Sequence, residues 1–257
     1  MKYTCITSMT KKHFDYIGGV MLESWKKYWP TNAEMVVYAE GFDHKESDPR
    51  VKFINWEEHC KSLHDEFSRK TDDNSTLRFA KKGFAFLHAM ETINNKKIIW
   101  IDADILFFKQ ITESLIDPLL PSNKLIALFD TYYQINPNYT LKQYIDYTTR
   151  NSFAAESGFL IINPFHNNYK QYVDNYRNLF TSPIKDSCLY SWYDGEVAVL
   201  AARDFLIDVE DLSKLRLTNK TQTPLNKSRL SEYFNHQKGK VKKGYTVSDL
   251  RKFCNLE

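Results

Sequence analysis

The chain lacks several features that would have decided its class at once. No apolar stretch approaches the ~18 residues of a membrane span, so no spanning helix is expected. No apolar signal core follows Met1, where Tyr3 onward already reads as a strand, and the expected location is cytoplasmic. The four cysteines (Cys5, Cys60, Cys188, Cys254) are scattered and never spaced as Cys-x-x-Cys. That pattern argues against a disulfide framework or a zinc ribbon and fits reduced thiols. Charge of one sign is also missing: the formal net charge is only +3, which excludes a general nucleic-acid coat. There is no internal repeat and no low-complexity linker. Four Asn-x-Ser/Thr triplets, at Asn74, Asn138, Asn219 and Asn226, are read as chance matches in a chain without a secretion signal.

What remains is a chain of 257 residues, 42% apolar and 26% charged, enough for one α/β domain that needs no staples. Aromatic residues reach 15%, and most are assigned to the core. Strands are predicted over Tyr3–Thr7, Met35–Ala39 and Val51–Ile54, with helices over His13–Trp29, Trp56–Phe67 and about Thr76–Ile93. Lys97-Ile98-Ile99-Trp100-Ile101 then reads as a strand buried on both faces, the habit of a central parallel strand. Alternation of strand and helix to this point predicts a βαβ half-domain. Beyond it, strands are expected at Leu125–Phe129, Gly158–Ile162 and Leu206–Val209, with helices at Phe165–Phe180 and Asp194–Ala202. The remainder reads as a loop-rich tail with a final short helix. Between Lys214 and Lys243 that tail is strongly basic, with Glu232 its only acid.

The chemistry concentrates where the central strand ends, at Asp102-Ala103-Asp104. In an open α/β sheet, ligands collect at the carboxyl ends of the strands. Residues two apart on a strand point the same way, so both carboxylates can reach one cation. Two hard oxygen ligands beside a diphosphate suit Mn²⁺ or Mg²⁺, and a metal makes that diphosphate an adequate leaving group. A bare Asp-x-Asp is commonly a solvated turn. This one is flanked by Ile-Ile-Trp-Ile and by Ile105-Leu106-Phe107, which raises its weight.

Lys-Ile-Ile-Trp-Ile-Asp-Ala-Asp-Ile-Leu resembles the strand-and-turn of GT-A glycosyltransferases, particularly glycosyltransferase family 8 and related nucleotide-diphospho-sugar transferases. His236-Gln-Lys-Gly239-Lys-Val-Lys242 matches the His-x-x-Gly-x-x-Lys motif that the same family carries near its C-terminus. The resemblance implies a GT-A (Rossmann-like) α/β fold with a mostly parallel central sheet flanked by helices. It implies a single domain over 1–257. About 1–104 would form the nucleotide-sugar-binding half, about 105–215 the acceptor-side half, and about 216–257 a basic tail closing on the diphosphate. The implied activity is metal-dependent hexosyl or pentosyl transfer from a nucleotide sugar, a UDP-sugar foremost, with a leaning toward retention. By the same analogy Asp102, Asp104 and His236 hold Mn²⁺ or Mg²⁺, Asp102 also serves the donor, and Gly239 with Lys242 closes on the diphosphate. A glycine lets backbone approach phosphate, and lysine supplies a compact cation.

Further candidates surround these motifs. Arg78, Lys81 and Lys82 share the polar side of the preceding helix, and the resemblance points Arg78 and Lys82 at the donor. Thr7 and Ser8 end the first strand, where relatives place base and ribose; Tyr38 and Glu40 end the second. Glu156 stands where the family often has Asn-Ala-Gly and is a candidate for sugar hydroxyls. Asp194-Gly195-Glu196 stands where the family often has Asp-Gln, so glycine replaces the amide. Asp194 or Glu196 could deprotonate an acceptor hydroxyl. Asp130 is a further strand-end carboxylate. The acceptor is left open among a glycan, lipopolysaccharide core and modified nucleic acid, as is the oligomeric state. Three other classes compete. A haloacid-dehalogenase-like phosphohydrolase would place its Asp-x-Asp in the first strand. A nucleotidyltransferase would want a glycine-rich loop where this chain has Thr7-Ser8-Met9-Thr10. A non-catalytic sugar-nucleotide-binding protein would have no need of an intact metal site.

Overall fold

The computed structural model describes residues 3–129, 155–181, 194–215, 217, 224–237 and 244–257. Its framework is a seven-stranded sheet built from β1 (Tyr3–Thr10), β2 (Glu34–Glu40), β3 (Val51–Asn55), β4 (Lys97–Ile101), β6 (Ile126–Phe129), β7 (Glu156–Ile162) and β8 (Val209–Asp211), in the order β3-β2-β1-β4-β7-β6-β8. A separate two-stranded ribbon pairs β5 (Ile105–Phe107) with β9 (Phe234–His236). β7 runs antiparallel to both of its neighbours, and the other strands of the large sheet run parallel. The expected mostly parallel α/β sheet is therefore present.

Helices cover both faces, and the strand pattern dictates how. On β4, Ile98 and Trp100 point into one buried layer while Ile99 and Ile101 point into the other, and all are at most 1% exposed. The first layer is closed by α2 (Trp56–Ser68), α3 (Asn74–Thr92), α4 (Tyr169–Thr181) and α5 (Asp194–Ala201). The second is closed by α1 (Gly19–Tyr28), the β5–β9 ribbon and α6 (Val247–Phe253). The helix starts carry the caps their sequences supply. Asn55 caps α2, Asp73 caps α3, and Thr246 with Asp249 forms a reciprocal capping box on α6. No helix among the described residues is long and apolar enough to cross a membrane. Cys5, Cys60 and Cys254 are free and buried.

Three expectations need correction. The helix expected over His13–Trp29 begins as a short turn at Lys11–His13, passes through a π-helical stretch at Phe14–Gly18, and becomes regular only at Gly19. A wider turn inserts one residue into the repeat, which a 3.6-residue pattern does not reveal. The closing strand lies at Val209–Asp211, and Arg203–Asp208 before it forms 3₁₀ turns. Most consequential, the segment read as loop after Arg216 contains a strand. Phe234–His236 pairs antiparallel with the three residues that follow the Asp-x-Asp turn: Ile105 opposite His236, Leu106 opposite Asn235, and Phe107 opposite Phe234.

Candidate functional site

The site forms where β4 stops. The Asp102 N–H donates to the Gly158 carbonyl at 2.8 Å, holding the turn against β7, and the Ile105 N–H closes it on the Asp102 carbonyl at 3.0 Å. The chain then leaves in β5, which brings β9 alongside. Pairing Ile105 with His236 carries the imidazole directly over the turn. The Gln237 N–H fixes the far side by donating to the Asp104 carbonyl at 2.9 Å. Asn226 grips His236 by the backbone: its side-chain amide donates to the His236 carbonyl and its side-chain oxygen accepts from the His236 N–H, each at 2.7 Å. Sequence reasoning treated Asn226 only as a chance sequon. Its signal, a polar residue among Leu225, Leu230 and Phe234, is meaningful only once those three are seen to be buried.

Asp102, Asp104 and His236 thus come together, with one ligand atom from each within 4.8 Å of the others. The His236 Nε2 lies 2.9 Å from Asp104 Oδ1 and 3.5 Å from Asp102 Oδ2. Its Nδ1 faces Glu156 Oε1 at 3.3 Å. A carboxylate behind the imidazole orients the ring and raises the basicity of the nitrogen in front. Burial lowers the pKa of His236, but hydrogen bonds and attraction from Asp104, Glu156 and Asp102 outweigh it, and the ring is pushed up to about 9. Without a metal the ring therefore carries a proton at neutral pH, and a cation bound at Nε2 must displace that proton.

Lys82, from α3, closes the other side. Its Nζ lies 2.5 Å from Asp102 Oδ1, pairs with Asp194 Oδ2, and donates to the Ser157 carbonyl at 3.1 Å. Asp102 Oδ1 also accepts from the Trp100 indole N–H at 2.9 Å, and the ammonium sits 5.0 Å from the centroid of that indole ring. Burial works against the charge of Lys82, yet Asp102 and Asp194 hold its pKa above the usual lysine value. Asp194 opens α5, where the positive end of a helix favours a carboxylate. Among the described residues, Asp102 and Asp194 pair with Lys82, and Asp102, Asp104 and Glu156 face His236. Two carboxylate oxygens and an imidazole nitrogen converging in this way fit a divalent ion such as Mn²⁺ or Mg²⁺.

Two glycines make the packing possible. A Cβ on Gly158 would lie 2.6 Å from His236 Cε1 and 2.7 Å from its Nδ1, so the ring occupies the space a side chain would take. A Cβ on Gly195 would lie 2.2 Å from the Ala155 carbonyl oxygen. Gly158 was not singled out from the sequence, although a glycine inside a strand often marks such a close approach.

Other expected residues are placed differently. Glu156 is 4% exposed and lies behind the imidazole, away from the open side of the turn. Glu196 is 1% exposed and follows Asp194 by two residues, which turns it about 200° around α5, to the opposite side. Tyr38 is 1% exposed, packed in the layer under α2 and α3, and its hydroxyl meets His88 Nδ1 at 2.8 Å. Arg78 is exposed, with its guanidinium 4.9 Å from the ring of its neighbour Phe79. Lys81 instead reaches Glu40 at 3.5 Å. Thr7 is fully buried, and its hydroxyl has no hydrogen-bond partner among the described residues. Ser8 points to the opposite face of the sheet from Thr7. Gly239, Lys242 and Asp130 lie outside the described residues. A wider open cleft of ≈ 640 Å³, lined by Lys26, Trp29, Arg50 and Glu113 among others, shares no residue with the site. Its cations Lys26 and Arg50 are already paired with Glu46 and Asp48.

No protein-family model matches the sequence, and no curated protein matches it. Solved structures do. The chain is similar to the bifunctional glycosyltransferase WbbM in its apo form, at 14% identity and a TM-score of 0.55, covering 90% of this chain and 43% of that one. It is similar to mouse xyloside xylosyltransferase 1 in its apo form, at 13% identity and a TM-score of 0.52, covering 84% and 87%. It is also similar to the galactosyltransferase LgtC in complex with donor and acceptor sugar analogs, at 16% identity and a TM-score of 0.52, covering 88% and 82%. The fold is GT-A. The chain thus spans less than half of WbbM but most of the other two proteins. In this GT-A sheet the acidic turn lies at the carboxyl end of the central strand β4, with the ribbon directly after it.

Proposed function

We propose that the protein is a metal-dependent glycosyltransferase that moves a sugar from a nucleotide-diphosphate donor, a UDP-sugar foremost, onto an acceptor. The observation that carries this reading is the meeting of Asp102 and Asp104 with His236, far apart in sequence, at the strand end of a GT-A sheet. Asp102, Asp104 and His236 would hold Mn²⁺ or Mg²⁺. That ion, when bound, neutralises charge developing on the leaving diphosphate. Glu156 orients the imidazole from behind. Asp194, paired with Lys82, is the best placed of Asp194, Glu196 and Glu156 to meet the donor sugar or the acceptor hydroxyl. Of Thr7 and Ser8 near the end of β1, Thr7 is fully buried and Ser8 is only half-buried, so Ser8 is the better placed of the two to meet the nucleoside. Gly239 and Lys242 keep the diphosphate role that the motif implies.

The test is release of free sugar from UDP-glucose, UDP-galactose and UDP-xylose with Mn²⁺, with Mg²⁺ or with a chelator. This panel also separates hexosyl from pentosyl transfer. Cleavage is expected only with metal, and Asp104→Asn should lower it about 100-fold or more. A chain that neither binds Mn²⁺ nor cleaves any of the donors would end the proposal. Gly158→Ala supplies a subtler check, because its new Cβ pushes on a side chain and not on backbone. Mn²⁺ affinity measured by calorimetry is expected to drop about 10- to 100-fold with the fold retained. Unchanged affinity would remove the imidazole from the ligand set.

A further inference from the structure

Beside the Lys82–Asp194 pair lies a small, partly enclosed space of ≈ 10 Å³, lined by Lys82, Phe86, Trp100, Leu160, Tyr176 and Asp194. Phe86, Trp100 and Leu160 give it a largely apolar lining, to which Lys82, Asp194 and Tyr176 bring polar groups, and Asp194 lies close enough to Tyr176 for its charge to act on the phenol. Tyr176 belongs to α4 and is fully buried, with its ring edge-on to Phe86 at 5.6 Å between centroids. Its hydroxyl has no hydrogen-bond partner among the described residues. Leaving a buried hydroxyl unsatisfied costs on the order of 1–3 kcal/mol, so such groups are ordinarily paired with protein or with water.

The space matches one water. A single molecule needs about 10–15 Å³ by this measure and at least two polar partners, and a purely apolar hole of the same size would stay dry. The Lys82 ammonium has already committed its donors to Asp102, Asp194 and Ser157. The Asp194 carboxylate, paired among the described residues with Lys82, keeps acceptor capacity. We infer that Tyr176 is a positioning residue for Asp194, acting through one buried water that accepts from the phenol and donates to the carboxylate. Burial and the nearby charge of Asp194 raise the phenol pKa well above its usual value, so Tyr176 keeps its proton and stays a donor. The bridge tethers the first turn of α5 to α4 and fixes the carboxylate that the proposed transfer uses. In that respect the inference rests on the functional reading above.

The experiment is a high-resolution crystal structure of the metal-free protein and of Tyr176→Phe, with donor hydrolysis measured on both. An ordered water is expected within hydrogen-bond reach of the Tyr176 hydroxyl and the Asp194 carboxylate, and it should be missing in the variant. Turnover should fall about 3- to 10-fold, the worth of one hydrogen bond, with donor KM and Mn²⁺ half-saturation unchanged. A dry space in the wild-type crystal overturns the inference, as does a variant with wild-type turnover. A matching loss in KM or metal affinity overturns it too, because it would mean general loosening of the site. The crystallographic arm requires no substrate. A wild-type protein inactive on every donor would therefore sink the functional reading while the presence or absence of the water is still decided.

Discussion

Lys82→Met is expected to destabilise the metal-free protein by about 3–5 kcal/mol, the usual consequence of removing one partner from a buried ion pair. The side chains of Lys82, Asp102 and Asp194 are only 18%, 20% and 9% exposed, so water cannot take over the role of the ammonium. With methionine in its place, two carboxylates would face each other around an apolar stem, beside Asp104 and Glu156. For a chain of this size each kcal/mol corresponds to roughly 2–4 °C, so the melting temperature should fall by about 6–20 °C. The loss should also depend on metal. A divalent ion at Asp102 restores positive charge where the lysine supplied it, so added Mn²⁺ should narrow the gap between variant and wild type. Thermal unfolding with and without Mn²⁺ reads both effects. A variant that melts with the wild type would show that the pair adds nothing. A gap indifferent to Mn²⁺ would separate Lys82 from the metal site.

The second large effect concerns the glycine that departs from the family's pattern. Gly195→Gln, which would restore the family's amide, is expected to cost about 3 kcal/mol or more and to abolish activity. A Cβ there would sit 2.2 Å from the Ala155 carbonyl oxygen, 3.1 Å from its carbon and 3.3 Å from the Ser157 Cβ. Two of these are backbone atoms at the start of β7 and cannot rotate away. Relief would have to move β7, and with it Glu156 behind the imidazole and Gly158 beneath it. Gly195→Ala isolates the steric part and should show most of the same loss in denaturant unfolding. If Gly195→Gln were stable and active, α5 and β7 would have to be less tightly packed than they are here. The missing amide is therefore a consequence of how closely the start of α5 approaches β7 in this chain.

Much of the scaffold could be read before any coordinates. β1 to β4 and α2 to α3 follow from apolar periodicity, and the run Ile98–Ile101 announced a strand covered on both sides. The resemblance carried by the strand-end carboxylates and the His-x-x-Gly-x-x-Lys motif pointed to Asp102, Asp104 and His236, which the fold brings together. What escaped the sequence was set by tertiary pairing. The β5–β9 ribbon has three residues per strand, too few for alternation to register, and its second half is hidden in a lysine-rich stretch. Tyr38 looked like a strand-end contact, yet its register opposite Ser8 turns it toward the helices of the first layer. Glu156 reads as a candidate sugar ligand because it stands where the resembling family often has Asn-Ala-Gly. Only the arrival of His236 shows that the carboxylate has a ring to orient. Arg78 and Lys82 sit one helical turn apart on α3, and the sequence could not tell which of them turns inward.

The short ribbon has a consequence for assembly. Residues 105 and 236 are neighbours across it, so the His236 imidazole meets the two aspartates only while the late part of the chain is seated against the turn. In the proposed metal site, capture of an ion by all three side chains therefore requires that segment to be seated. Anything that peels β9 away, a protease cut or a rival strand alike, would silence the site while leaving the large sheet standing.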